Sequence, residues 1–360
     1  MITKVALFTA NVQGGILQLT LQLYKTLKEE GYDAKVIMPY EIKGIDISPI
    51  SESDLLQYHK EKKIIDKTPY KELATRINTA QPDFVWYMDD SVICSNVGLF
   101  LHRNIRQLLT LHDAGTHHPA NHRSVRSVLV EKYTSFINKQ FYRRVDRFIL
   151  LSPESVKTFS RLYPTYKGRT VMMTLGAHLP EVEEMQPAEM SDEKDYLLFF
   201  GRIDKYKGIG NLLNAYRNVS DRALLLVIAG GGQFSDEEKE LIRACDNLTV
   251  INRYIGDGEM KWLFHHMTAA VLPYIEATQS GIIPLAYLFG KPVIVSNVAG
   301  LTQFVEDGET GLICKTPSEL EEALVKLSLG VGQEQTKKIK QYYDGNMNWN
   351  ANVRGLFASL

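Results

Sequence analysis

A chain of 360 residues is longer than one ordinary hydrophobic core supports and fits two α/β domains. Apolar residues make up 44% and charged residues 23%, as in globular proteins, and 41 basic against 42 acidic side chains leave a net charge of −1. That balance encodes no global attraction for nucleic acid.

Three cysteines, Cys94, Cys245 and Cys314, are far apart, odd in number and without metal-ligand spacing, which favours a reducing cytoplasm. The opening Met1-Ile2-Thr3-Lys4-Val5 runs directly into a strand pattern and leaves no room for a signal peptide. No apolar run approaches the roughly 20 residues that span a bilayer. The expected location is cytoplasmic, with contact to the inner face of a membrane left open.

In chain order, Lys4 to Thr9 reads as a buried parallel strand, 11–15 as a turn and Ile16 to Glu30 as a helix with Leu17, Leu21 and Leu27 on one side. Gly31 stops that helix and Ala34 to Met38 is the next strand, a βαβ opening. The mixed, polar stretch from Tyr40 to Thr68 carries no clear period. A helix over Tyr70 to Ala80 and strands at Asp83 to Tyr87 and Gln107 to Leu111 follow, the last ending at His112-Asp113. Ser124 to Arg144 is a long helix and Arg147 to Leu151 a strand. Pro153 opens a further helix, and Thr170 to Met173 is the last strand of this half.

Composition then shifts. Pro180 to Asp195 is acidic, has two prolines and lacks apolar periodicity, so it reads as a linker. The alternation restarts with strands at Tyr196 to Phe200, Ala223 to Ala229 and Leu248 to Ile251, the second of them ending in Gly230-Gly231-Gly232. Helices alternate with these strands at Ile209 to Arg217, after a Ser235 cap, and after an Asp257 cap to His266. Two runs of alternating β and α predict an α/β protein with two Rossmann-like, doubly wound parallel sheets. The predicted domains are residues 1–180 and 181–345, with 346–360 returning to pack on the first.

The stretch Val271 to Gly311 holds the densest chemistry. An apolar run ends at Pro273, Glu276 follows, and the small polar residues 277–281 lead into the helix Ile282 to Phe289 and a strand at Pro292 to Val295. The N–H groups of Ser280, Gly281 and Ile282 at the helix start suit an anion. Glu276 beside them can accept hydrogen bonds from hydroxyls, or serve only as a favourable charge at a helix start. Amides for phosphate and a carboxylate for hydroxyls together suit a sugar nucleotide. Arg202 and Lys207 follow a strand, at the edge where open α/β sheets bind ligands. Two cations there would stabilise a departing diphosphate; losing one such donor typically costs about 3 kcal/mol. The same residues also fit an ordinary solvated turn.

Phe200-Gly201-Arg202 through Lys207-Gly208, Ile228 to Gly232, the Glu276 segment and Val305 to Leu312 resemble, in order and spacing, the motifs of glycosyltransferase family four, the glycogen-synthase-like retaining enzymes. The likeness is specific over about 196–327. In the first half it rests on Gly14-Gly15 and His112-Asp113, with Trp349 resembling a tryptophan of the family's crossing helix. It implies the GT-B fold, two Rossmann-like domains facing across a cleft that closes to exclude water. The implied reaction moves a sugar from a nucleotide-diphosphate sugar to a glycan or lipid-linked acceptor with retention of configuration, most often in surface-polysaccharide or glycoconjugate synthesis. His112 would lie near the donor sugar, and Gly14 and Gly15 would line the cleft. The donor set would comprise those glycines with Arg202, Lys207, Ile255, Glu276, Ser280, Gly281 and Ile282. No cofactor and no catalytic metal is expected, because Arg202, Lys207 and helix amides can carry the phosphate charge.

Two features depart from the family. Its second glutamate, which grips the ribose, falls at Pro284 or Leu285 here, and Gln303 stands where a glutamate is frequent. A non-catalytic GT-B subunit binding a partner or glycan is the alternative. His117, His118 and His122 crowd the loop after His112, but their spacing lacks the helical logic of a zinc site. His265-His266 reads as helix surface. The segment 123–147, with Arg123, Arg126, Lys132, Lys139, Arg143, Arg144 and Arg147 among Val128, Leu129, Phe136 and Phe141, fits either an anionic membrane surface or a solvated helix face.

Overall fold

The computed structural model describes residues 2–11, 14–42, 47–60, 65–112, 125–177, 179, 181–190, 195–330 and 332–360, with the side chains of 14 and 125–129 outside the description. Contacts divide the chain into two compact units, Met1–Thr174 with Trp349–Leu360, and Leu175–Asn348. The sequence reading sets its boundary at 180/181 and the returning segment at 346.

Unit 1 is built on β1 (Lys4–Phe8), β2 (Asp33–Pro39), β3 (Leu55–Tyr58), β4 (Phe84–Tyr87), β5 (Arg106–Leu111), β6 (Arg147–Leu150) and β7 (Thr170–Met172). They form one sheet in the order β3-β2-β1-β4-β5-β6-β7, every pairing parallel. Strands covered by helices on both faces must be apolar on both, and β1 and β4 are buried nearly end to end. The final helix, Trp349–Ala358, belongs to this unit. Its Phe357 packs on Tyr32, Phe84 and Trp86, its Arg354 pairs with Glu30 at 2.7 Å, and Arg106 donates to the carbonyl of Leu360.

Unit 2 holds β8 (Tyr196–Phe200), β9 (Leu225–Ala229), β10 (Leu248–Ile251), β11 (Ala269–Leu272), β12 (Val293–Ser296) and β13 (Gly311–Cys314), again all parallel, in the order β10-β9-β8-β11-β12-β13. The expected pair of doubly wound parallel sheets is therefore present.

The differences from the sequence reading are local. β3 and the helix Val92–Phe100 escaped it, the first because it is a short edge strand in polar surroundings. The first helix begins at Gly14, two residues before Ile16. The helix at 257–266 is capped by Gly256 rather than Asp257, and Glu259 reaches back to accept the Gly256 N–H at 3.3 Å. The acidic segment read as a linker is anchored over 181–190. Arg253 donates to Glu189 at 2.9 and 3.0 Å and to Glu259 at 2.7 Å twice, and Met185 N–H bonds the Gly258 carbonyl at 3.1 Å.

Part of the basic segment 123–147 is committed to the interior. The Arg144 guanidinium donates to the carbonyls of Leu99 and Leu101, and Phe141 is fully buried against Tyr87, whereas Phe136 is 60% exposed. Arg123 and the side chains of Arg126, Val128 and Leu129 lie outside the described residues. Among the described residues no helix is long and apolar enough to cross a membrane.

Candidate functional site

In an open parallel sheet, two neighbouring strands whose crossovers leave in opposite directions open a crevice at their carboxyl ends. In unit 2 those neighbours are β8 and β11. Arg202 and Lys207 follow β8; Tyr274, Glu276 and Ser280 follow β11. Topology therefore brings together two stretches more than sixty residues apart in sequence.

Their junction is closely fitted. Lys207 is buried at 9% exposure, and its Nζ donates to the Tyr274 hydroxyl at 2.7 Å while lying 4.5 Å from the centre of that ring. The Tyr274 hydroxyl is 3.4 Å from Ser280 Oγ, which accepts the Ile282 N–H at 3.3 Å. The Tyr206 carbonyl accepts the Ile275 N–H at 2.8 Å, tying the two stretches through backbone. Gly208 has φ +66°, and a Cβ there would overlap the Pro273 carbonyl oxygen, so the turn ending the Arg202–Lys207 motif seats on the end of β11 only as glycine. Gly230 has φ +143° and would place a Cβ on the Gly201 carbonyl, which explains the glycine run after β9 as close strand-end packing.

Burial pushes the Lys207 ammonium below the usual lysine range and the Tyr274 phenol up to about 12, the latter partly offset by the Ser280 hydrogen bond. Taking a cation out of water disfavours its charged form. An anion arriving at Lys207 would favour the charged form in turn, so this junction suits an anionic group. Tyr274 was not among the residues singled out from sequence. A tyrosine directly after a buried strand looks like core, and its role appears only when Lys207 is found beneath it.

The other expected residues are placed as follows. Arg202 is exposed, its Nε 3.6 Å from Asp204 Oδ2, a surface pair worth at most about 1 kcal/mol and readily exchanged for a ligand. Glu276 is exposed beside Ile275, available to a ligand. Of the three amides at 280–282, that of Ile282 is taken by Ser280 Oγ, so the expected trio reduces to Ser280 and Gly281. Ile255 is buried at 8%, which leaves its backbone rather than its side chain for contact. Pro284 is buried and Leu285 half-buried in the helix Ile282–Leu288, so no carboxylate occupies either position. Gln303 donates to the Thr278 carbonyl at 3.5 Å. The Gln279 Oε1, next to Ser280, is buried with no hydrogen-bond partner among the described residues.

In unit 1 the corresponding switch point lies between β1 and β4. Gly15, at the start of the first helix, has no described atom within 4 Å of where a Cβ would stand, and Gly14 is the first residue of that helix. His112, just past β5, is half-buried with Nε2 2.9 Å from the Met88 carbonyl, which favours a proton on Nε2. Asp89 was also missed by sequence reasoning. It is buried, and its Oδ2 accepts from Thr9 Oγ1 (3.1 Å), Ala10 N (2.8 Å) and Asn11 N (3.2 Å), while Oδ1 accepts from Ser91 N (3.1 Å). It thereby ties the exit of β1 to the exit of β4. Its only sequence signal is an aspartate between a strand and a serine helix cap. Asp113, His117, His118 and His122 lie outside the described residues.

Residues 181–342 match the family model described as Glycosyl transferases group 1. An uncharacterized glycosyltransferase of Methanocaldococcus jannaschii is 22% identical over 241 residues, which is 62% of this chain and 60% of that protein. The chain thus spans less than two thirds of the length of the curated relatives it matches first. Among solved structures, a glycosyltransferase from Rickettsia africae superposes with a TM-score of 0.74 at 17% identity, over 99% of this chain and 97% of that one. The Anabaena protein HepE in complex with UDP and glucose gives 0.73 at 13% identity, over 99% and 100%. At such identities the likeness is one of fold. The chain has the GT-B fold, and the unit built on its second sheet is the part that matches glycosyl transferases group 1.

Proposed function

We propose that this protein is a glycosyltransferase that takes a sugar from a nucleotide-diphosphate donor held by unit 2. The observation that carries the reading is the Lys207–Tyr274–Ser280 chain at the β8/β11 switch point, where a buried ammonium awaits an anion. The group 1 match over the same residues and the UDP complex of the structurally similar HepE support it. In this reading Lys207, Arg202 and the Ser280 and Gly281 amides receive the diphosphate, Glu276 accepts hydrogen bonds from sugar hydroxyls, and the Ile255 backbone meets the base. By the family resemblance, Gly14 and Gly15 complete the donor set and His112 lies near the donor sugar.

The reaction breaks the bond between the anomeric carbon and the diphosphate oxygen, which leaves with the electron pair. An acceptor hydroxyl forms the new bond and its proton passes to the departing diphosphate. Fixed cations stabilise the charge that develops on that oxygen, where an electrostatic donor is worth most. Phosphate charge is met by side chains and amides, so no metal is called for. Retention of configuration, a glycan or lipid-linked acceptor, and surface-polysaccharide or glycoconjugate synthesis complete the proposal.

The departure at Pro284 and Leu285 favours one competing reading, a GT-B subunit that binds a glycan or partner without catalysis. A thermal-shift and calorimetric screen of nucleotide sugars separates the two. Stabilisation by one donor class, followed by anomeric analysis of the product by NMR, is the expected outcome. Absence of any nucleotide binding would favour the non-catalytic subunit.

A further inference from the structure

Away from the phosphate-binding turn, one surface of unit 2 has a donor set that the proposed reaction does not use. We propose that Glu184, His265 and His266 bind a late first-row divalent cation of the Zn²⁺ class, which clasps the segment 181–190 to the helix Asp257–His266.

Consecutive residues on a helix point about 100° apart, so two adjacent histidines ordinarily diverge. Here they stand at the last turn with ring centroids 5.1 Å apart. His266 is held in place one turn back: its ring stacks on Trp262 at 4.4 Å and 23°, and its Nδ1 lies 2.9 Å from the Trp262 carbonyl. That hydrogen bond puts the proton on Nδ1 and the lone pair on Nε2, the arrangement by which metal-binding histidines are oriented. The Nδ1 of His265 is 2.9 Å from Glu184 Oε1, and one ligand atom from each of the three residues lies within 4.8 Å of the other two. Among the described residues this is the one such group of three. A tetrahedral ion with bonds of about 2.0–2.1 Å separates its ligands by roughly 3.3 Å. Exposed side chains reach that spacing by small rotations about their χ angles.

Two imidazoles and one carboxylate select Zn²⁺, Ni²⁺ or Cu²⁺ over Mg²⁺ or Ca²⁺, which prefer all-oxygen sites. A simple surface pair between His265 and Glu184 would be worth little and would make no use of His266, whose Nδ1 is held by the Trp262 carbonyl. The remaining contacts suit a clasp: Lys261 Nζ donates to the Val182 carbonyl at 3.1 Å, and Met185 N–H to the Gly258 carbonyl at 3.1 Å. A metal at Glu184 adds a further tie on the same run of chain, at the end of the helix.

The test is calorimetric titration of the whole protein with ZnCl₂ and with MgCl₂ at a pH where histidine is neutral, alongside His265→Ala, His266→Ala and Glu184→Gln. Wild type is expected to take up Zn²⁺ and not Mg²⁺, and each substitution to weaken Zn²⁺ binding by about tenfold or more. Hydrogen exchange over 181–190 should slow with Zn²⁺ in the wild type and not in the His265→Ala/His266→Ala protein. Unchanged Zn²⁺ affinity in that double variant would place the ion on other histidines and overturn the proposal, as would a wild type that takes up no Zn²⁺. All three residues are exposed, so the variants should fold, and matching melting curves without metal check this.

Discussion

The ammonium of Lys207 donates a 2.7 Å hydrogen bond to the phenol oxygen of Tyr274, and both groups are buried. Lys207 enters the crevice from the β8 side and Tyr274 from the β11 side, so this bond joins the two halves of the proposed phosphate site. Removing the acceptor with Tyr274→Phe leaves a buried donor unsatisfied, at a cost of about 1–3 kcal/mol. A bound diphosphate would supply the missing acceptor. The melting-temperature rise produced by a nucleoside diphosphate should therefore be larger in Tyr274→Phe than in wild type; an equal or smaller rise would show that Lys207 does not meet the phosphates.

The lowered Lys207 pKa gives a pH dependence of defined sign. Between the folded pKa and the unfolded value of 10.5, the folded protein holds fewer protons than the unfolded chain. Lys207 therefore costs stability at neutral pH, and the cost fades as pH rises through that window. Diphosphate binding runs the other way, because the anion favours the ammonium. Affinity should fall as pH climbs from neutral toward 10.5, with proton uptake on binding, and Lys207→Arg should flatten the curve. Calorimetry in buffers of differing ionisation enthalpy reads both quantities.

Two glycines should respond oppositely to alanine. Gly208→Ala meets a left-handed backbone, worth about 1–2 kcal/mol by itself, and also the Pro273 carbonyl. It should lower both stability and diphosphate affinity. Gly15→Ala meets open space within a helix and should leave the melting temperature unchanged or slightly raised, by up to about 1 kcal/mol in stability. If substrate approaches the backbone there, transfer activity will nevertheless fall. Full activity in Gly15→Ala would remove that residue from the site.

Glu276→Ala should reduce transfer by roughly 10²–10³ if the carboxylate meets sugar hydroxyls in the transition state. Exposure of Glu276 in the structure means that folding should be untouched. A variant with wild-type kcat/KM would restrict Glu276 to favouring the helix start.

Acid should loosen the packing of 181–190 on the rest of unit 2. Hydrogen bonds from Arg253 hold the Glu259 carboxyl below its usual 4.5, against an opposing effect of burial. A depressed carboxylate pKa contributes stability that is complete above the unfolded value and is lost as pH falls through the folded one. The melting-temperature gap between wild type and Glu259→Gln should thus be widest above pH 4.5 and close below it. A gap independent of pH would mean that the charge of Glu259 contributes nothing.

Much of the architecture was legible in the chain. Buried parallel strands announce themselves as short apolar runs, and Gly201-Arg202 with Lys207-Gly208 stands out after β8 as a candidate anion-binding turn. Local pattern also carried the Ser235 cap and the helix opened by Pro153. Pairing between distant residues is invisible to such patterns. The acidic run 180–195 has a linker's composition, yet Arg253, 64 residues beyond Glu189, holds its described part at 181–190. Arg144 and Phe141 count as basic and apolar surface in a sequence window, but the fold turns both inward.

The stretch from Val271 to Gly311 shows where the division falls. Residue chemistry by itself determined that a carboxylate, small polar residues and a helix start follow a buried strand, and that no second acid occupies Pro284 or Leu285. Only the tertiary structure decided that Lys207 lies against Tyr274, that Ser280 spends its hydroxyl on the Ile282 amide, and that Arg202 stands exposed. The physical reason is that strand order, not sequence distance, sets which loop ends meet. Once β8 and β11 are neighbours, burial lowers the pKa of the lysine between them, which residue type alone does not do.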